Sequence, residues 1–126
     1  MGSEMCIRDR TNYACNNCLF VTGMSQGGFM TYKFANTTSH TVTAIAVGSG
    51  NMSNALQNAS SSAPQIPVMH FHGTDDNLVS YDGTFLISPV ESTIQWWVEH
   101  NNCNNTPILT TIPNSNLADS LSLIHI

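Results

Sequence analysis

The stretch that decides the fold is residues 18–28, CLFVTGMSQGG. Its first five residues are apolar and rich in β-formers, and the run stops at Gly23. This is the pattern of a strand buried on both faces in a parallel sheet. A helix is predicted to follow directly, so that Ser25 lies in a G-x-S-x-G turn between strand and helix.

The predicted helix covers residues 27–36. Three residues at helical spacing form its expected core-facing side, namely Gly27, Met30 and Phe34. Tyr32 and Lys33 are expected to point elsewhere, and the polar residues after position 35 end the helix.

The rest of the chain continues the alternation of strands and helices. Strands are predicted at residues 41–47, 66–72 and 108–112. Residues 48–65 form a long loop with room for one helical turn. A second helix begins at Pro89, and its apolar stripe consists of Val90, Ile94, Trp97 and Val98. This order predicts an α/β domain with a parallel sheet.

Both ends of the chain read as translated sequencing adaptor. With suitable codons, residues 4–10 encode a transposon adaptor, and residues 121–126 encode its reverse complement. We therefore expect residues 1–10 and 121–126 not to be natural and leave them out of the fold. Residues 11–120 are then the central part of one catalytic domain, cut at both ends, from a metagenomic source.

The composition excludes several functions. Only 3 Lys and Arg stand against 8 Asp and Glu, for a net charge of −5, and Lys33 is the only basic side chain between residues 11 and 120. Nucleic-acid binding is thereby excluded. No apolar run approaches the roughly 18 residues of a membrane span. Few charges and many Asn, Ser and Thr favour a secreted or periplasmic protein.

The G-x-S-x-G turn has a chemical purpose. A tight turn between strand and helix strains the serine and exposes its hydroxyl, with Gly23 and Gly27 clearing space on either side. Ser25 is then the candidate nucleophile. The backbone N–H of Gln26, at the helix N-terminus, is the candidate oxyanion donor. The alternative is a Gly-rich turn in which Ser25 only caps the helix.

A candidate acid follows the third predicted strand, in residues 72–77, HGTDDN. In serine hydrolases of this topology the carboxylate follows the nucleophile and orients a later histidine. Either Asp75 or Asp76 can take that role, or both can only shape a turn. His72 precedes the acid and is expected to be structural.

The other histidines are also expected to be structural. His70 is predicted to be buried and hydrogen-bonded, His100 to lie at a helix end, and His40 to lie in a loop. Cys15 and Cys18 have the spacing of a redox or zinc pair, but no second pair follows. Neither a metal nor a cofactor is implied.

Residues 20–30, 44–46 and 70–76 resemble the polyhydroxybutyrate depolymerase and feruloyl esterase family of α/β-hydrolases. The resemblance implies that Ser25 is the nucleophile and that Asp76, not Asp75, is the acid. It also implies a disulfide at Cys103. Members are typically secreted and hydrolyse polyesters or the phenolic esters of plant polysaccharides.

The family's histidine lies in a Gly-rich loop that is absent here, as is the strand that supplies the second oxyanion donor. We therefore expect the chain as written to be inactive and to fold poorly alone. Two other functions stay open. One is a serine peptidase similar to the prolyl oligopeptidases, and the other is a noncatalytic secreted binding module.

Overall fold

The computed structural model describes residues 18–59 and 63–110 in full, and residues 121–125 as backbone only. Residues 1–10, predicted to be adaptor-derived, lie outside this part of the chain, and so does Cys15. No helix in the described part is long and apolar enough to cross a membrane.

A mixed sheet forms the centre of the fold. Its strands are β1 (Phe20–Met24), β2 (Ala44–Gly48), β3 (Val68–Gly73) and β4 (Leu121–His125), and they lie in that order across the sheet. The first three are parallel, whereas β4 is antiparallel to β3. The predicted α/β class with a parallel sheet is confirmed for β1, β2 and β3.

Three helices connect the strands. They are α1 (Gln26–Thr37), α2 (Asn54–Asn58) and α3 (Val90–His100). The helix α1 packs against β1 and β2, and α3 packs against β3. Tyr32 of α1 contacts both His70 of β3 and Trp97 of α3, so the two longer helices cover the same face of the sheet.

The core lies between this face and the two helices. It consists of Tyr32, Ala35, Val42, Ile45, Val47, Met52, Ile66, Val68 and Trp97. The predicted orientation of α1 was therefore wrong for Tyr32, which is fully buried, and for Met30, which is 61% exposed. It was right for Phe34, which packs against the core, and for Lys33, which is exposed. The helix lies on the sheet through Gly28, where an added Cβ would come within 2.9 Å of Val47 Cγ1. This close approach turns Tyr32 inward.

The opposite face of the sheet is open among the described residues. Phe20 and Met24 of β1 are 67% and 76% exposed, and Phe71 of β3 is 40% exposed. The expectation that β1 is buried on both faces was therefore wrong for this structure. Its residues alternate between partly buried and exposed because helices cover one side only.

The strand predicted at residues 108–112 is not formed in its described part. Ile108 and Leu109 are 94% and 91% exposed and adopt no regular structure, and residues 111–112 lie outside the described residues. The segment does not pair with β3, because β4 occupies that edge. Residues 121–125, left out of the fold above, thus provide the fourth strand.

The structure of α3 agrees with its sequence pattern better than the structure of α1 does. Val90 and Trp97 are fully buried, as predicted, and Pro89 precedes the first turn. The helix ends in a Schellman motif, since Asn102 N–H donates to Glu99 and Cys103 N–H donates to Val98.

Candidate active site

Ser25 occupies a strained turn between β1 and α1. Its backbone has φ 54° and ψ −120°, a combination that L-residues with a Cβ rarely adopt. An ordinary helix-capping serine is extended and accepts a backbone N–H through its hydroxyl. The backbone of Ser25 is not extended, and its side chain makes no capping hydrogen bond. The capping alternative therefore does not describe this residue.

Close backbone contacts hold the turn. A Cβ on Gly23 would lie 2.2 Å from the Gly27 carbonyl oxygen, and one on Gly50 would lie 2.9 Å from the Ser25 carbonyl oxygen. The Ser25 N–H also donates to the Gly48 carbonyl at 2.9 Å. The expectation that Gly27 clears space was wrong, because nothing lies within 4 Å of its missing Cβ. Of the two glycines in the G-x-S-x-G motif, only Gly23 has that role.

The serine side chain is exposed at the carboxyl end of β1. Gln26 is the first residue of α1. The first N–H groups of a helix have no intrahelical acceptor and carry the positive end of the helix dipole. The Gln26 N–H is thus a donor without an intrahelical acceptor next to an exposed hydroxyl, as an oxyanion hole requires.

Asp76 follows β3 and is fixed by its own loop. Its Oδ1 accepts the backbone N–H groups of Leu78 and Val79, both at 2.9 Å. These two bonds lower the pKa of the Asp76 carboxyl below its ordinary value, and the neighbouring Ser49 and His72 side chains add to the effect. Asp76 therefore does shape a turn, but through one oxygen.

Ser49 is a site residue that the sequence analysis missed. It follows β2, between the elbow and the acid, and has φ 43°. Its N–H donates to the Phe71 carbonyl at 2.8 Å, and its side chain helps to lower the pKa of Asp76. The available signal was its place between Gly48 and Gly50, at the carboxyl end of a strand.

A chain of hydrogen bonds runs under the Asp76 loop. Tyr32 Oη lies 2.7 Å from His70 Nδ1, and His70 Nε2 lies 3.2 Å from His72 Nδ1. His72 Nε2 lies 2.7 Å from the Val79 carbonyl oxygen and 3.8 Å from Asp76 Oδ2. Both histidines are buried, and both ring nitrogens of each are occupied. The predicted burial of His70 is confirmed, and neither residue is free to act as a base.

Burial also determines the charge of the Tyr32 and His70 side chains. It lowers the pKa of His70 to about 4, and the neighbouring His72 adds to the shift. Burial likewise raises the pKa of Tyr32 above its ordinary value. Tyr32 and His70 are therefore both neutral near pH 7.

The other described histidines lie away from Ser25. His100 Nε2 is 3.0 Å from the Ala63 carbonyl, and its ring stacks on Trp96. His40 is exposed and follows the far end of α1, about 18 Å along the helix from its start. His125 pairs with Met69, at the opposite end of β3 from Asp76.

Ser25 and Asp76 lie at the same edge of the sheet. They follow the carboxyl ends of β1 and β3, and β2 lies between these strands. Two strand spacings separate them by roughly 10 Å. Among the described residues no hydrogen bond joins their side chains.

Nothing in the described residues points to a metal. No group of three or more His, Cys, Asp or Glu side chains within the described ranges could hold one. Cys18 and Cys103 are exposed free thiols there. The disulfide implied for Cys103 stays a prediction.

The chain was also compared with known proteins. The phospholipase/carboxylesterase family matches residues 7–110. No curated protein and no solved structure matches the chain. The family match agrees with the parallel strands, the elbow and the acid loop at one sheet edge. The chain therefore belongs to the phospholipase/carboxylesterase family of α/β-hydrolases, and its activity is that of an esterase-type hydrolase.

Proposed function

We propose that the chain is the central part of a serine esterase in which Ser25 attacks the ester carbonyl. The observation that carries this proposal is the backbone of Ser25, which is strained, exposed and followed directly by a helix N-terminus. Strain of this kind persists only where surrounding contacts enforce it, and it is concentrated at functional sites. A turn that only connects a strand to a helix does not require a strained backbone.

In the proposed mechanism, a histidine takes the Ser25 proton and later protonates the leaving alcohol. The Gln26 N–H stabilises the tetrahedral oxyanion. Asp76 holds the tautomer of that histidine through Oδ2, because Oδ1 is occupied by backbone N–H groups. The resemblance implies that the base is a further histidine, in a Gly-rich loop that this sequence lacks, and the ring nitrogens of His70 and His72 are all occupied.

The proposed substrate is a polyester of the polyhydroxyalkanoate type or a feruloyl or acetyl ester of plant polysaccharide. Its support is the resemblance carried by the elbow and by residues 70–76. We also propose a secreted or periplasmic location, supported by the low charge of the chain. A peptidase similar to the prolyl oligopeptidases shares the elbow, and a binding module needs no nucleophile. These are the competing functions.

The test uses the complete natural protein and a fluorophosphonate probe. We expect Ser25 to be labelled and Ser25→Ala to abolish labelling, whereas Ser39→Ala, in an exposed loop, leaves it intact. Asp76→Asn should lower ester turnover by roughly 10³–10⁴-fold, as loss of the triad acid does elsewhere. Asp75→Asn should stay near wild type because Asp75 is exposed.

Each competing function predicts a different experimental result. Absence of labelling at Ser25 would overturn the esterase and favour the binding module. Faster turnover of peptides than of esters in a substrate panel would favour the peptidase. Secretion is checked by locating the protein in cell fractions.

A further inference from the structure

We propose that Tyr32, His70 and His72 form a one-way hydrogen-bond chain that positions Asp76, so that its Oδ2 is kept for the catalytic histidine. The proposal rests on the proposed function in one respect, namely the role of Asp76 as the triad acid. It concerns positioning residues, since none of the three reaches a substrate.

The direction of the chain follows from its last acceptor. The Val79 carbonyl can only accept, so His72 Nε2, 2.7 Å away, carries a proton and donates it. In a neutral His72 the other nitrogen, Nδ1, is then an acceptor. His70 Nε2 must therefore donate to it across 3.2 Å, which leaves His70 Nδ1 to accept from the Tyr32 hydroxyl at 2.7 Å. Every donor then has one acceptor.

The chain ends where the Asp76 loop is held. The Val79 carbonyl accepts from His72, and the Val79 N–H donates to Asp76 Oδ1 at 2.9 Å. The same residue is thus fixed from both sides. The two groups belong to the two peptide units that meet at Val79, so Asp76 holds one unit and His72 holds the other, and the His72 ring is itself hydrogen-bonded to His70.

The consequence concerns the two oxygens of Asp76. Oδ1 is saturated by two backbone N–H groups, whereas Oδ2 lies 3.8 Å from His72 Nε2, beyond hydrogen-bond distance. The proton on His72 Nε2 goes to Val79 and does not compete for Oδ2. Oδ2 therefore stays available to orient a second imidazole.

The test measures tautomers and the pKa of Asp76 by NMR in the purified full chain. Long-range proton–nitrogen spectra, recorded above the ordinary histidine pKa, should show the Nε2–H tautomer for both His70 and His72. The Nδ1–H tautomer at either residue, or a doubly protonated His72, would overturn the proposal. This measurement needs no variant.

The second measurement is a carbon-13 titration of Asp76. His72→Phe should raise the pKa of Asp76 towards its ordinary value, and His72→Gln, which keeps a donor near the Nε2 position, should restore part of the shift. His100→Phe is the matched control, since it removes another imidazole beside a backbone carbonyl, far from Asp76. An unchanged Asp76 pKa in His72→Phe would contradict the proposal.

A milder variant covers the case in which His72→Phe does not fold. Tyr32→Phe removes only the hydroxyl at the start of the chain. His70 Nδ1 then loses its donor, but His72 keeps the Nε2–H form through Val79, and its Nδ1 still accepts from His70. His70 should therefore keep the Nε2–H tautomer. An Nδ1–H signal for His70 in this variant would contradict the proposed direction. None of these readouts involves Ser25, so they stay distinct from the labelling test.

Discussion

The elbow around Ser25 and the loop around Asp76 are held by different kinds of contact. The elbow depends on backbone atoms that approach so closely that Gly23 and Gly50 cannot carry a side chain. The acid loop depends on side chains, since Asp76 and His72 supply its hydrogen bonds. The elbow is therefore sensitive to volume, whereas the loop is sensitive to protonation.

The largest expected effect tests the elbow. Gly23→Ala places a Cβ against the Gly27 backbone, which cannot move aside. We expect the free energy of unfolding to fall by about 3 kcal/mol or more, as overpacking against fixed atoms does. Urea denaturation measures this loss.

Gly27→Ala is the matched control for that variant. Nothing lies within 4 Å of its Cβ position, and Ala favours the first turn of α1 over Gly. We expect a gain of up to about 1 kcal/mol. Equal losses in the two variants would show that the elbow is not limited by the Gly23 contact.

The next expected effect is a pH dependence of stability that arises from Asp76 and from His70 beneath its loop. Burial lowers the pKa of His70 from 6.5 to about 4, so the unfolded chain binds more protons than the folded chain between these values. The free energy of unfolding should therefore fall as pH drops through this window, by at most about 3 kcal/mol. Asp76 has a lowered pKa and adds a further loss below its ordinary titration range.

Urea denaturation at a series of pH values measures this slope. His70→Gln removes the titrating imidazole and should flatten the curve between pH 6.5 and about 4. The same slope in His70→Gln as in the wild type would assign the pH dependence to another group. Gly27→Ala, at the elbow, should keep the wild-type slope.

The smallest effect concerns the strain at Ser25. Glycine adopts φ 54° without a clash, whereas alanine keeps the Cβ and hence the strain. We expect Ser25→Gly to be more stable than Ser25→Ala by about 1 kcal/mol, after the entropic cost of glycine is included. Thermal unfolding of the two variants compares them directly. If they unfold at the same temperature, the turn stores no strain.

Local pattern was sufficient for several parts of the fold and the site. The strand-to-helix order around Ser25, the placement of Asp76 after a strand, and the buried His70 all follow from short-range composition and spacing. Each depends on residues that are neighbours in sequence, where period and turn chemistry are informative.

Other parts could not be predicted because they depend on distant contacts. Tyr32 faces the core only because Gly28 brings α1 onto the sheet near Val47. Residues 108–110 do not extend the sheet beside β3, because β4 occupies that edge. Ser49 joins the site only because β2 lies between β1 and β3.

The sequence by itself determined the class of fold and the place of Ser25 between β1 and α1, because a G-x-S-x-G turn encodes its own geometry. Only the tertiary structure decided that Asp76 keeps one oxygen free and that two histidines lie beneath it with both ring nitrogens occupied. These features depend on contacts between residues that lie far apart along the chain. Tyr32 and His70 are 38 positions apart, and only the packing of α1 on the sheet brings them together.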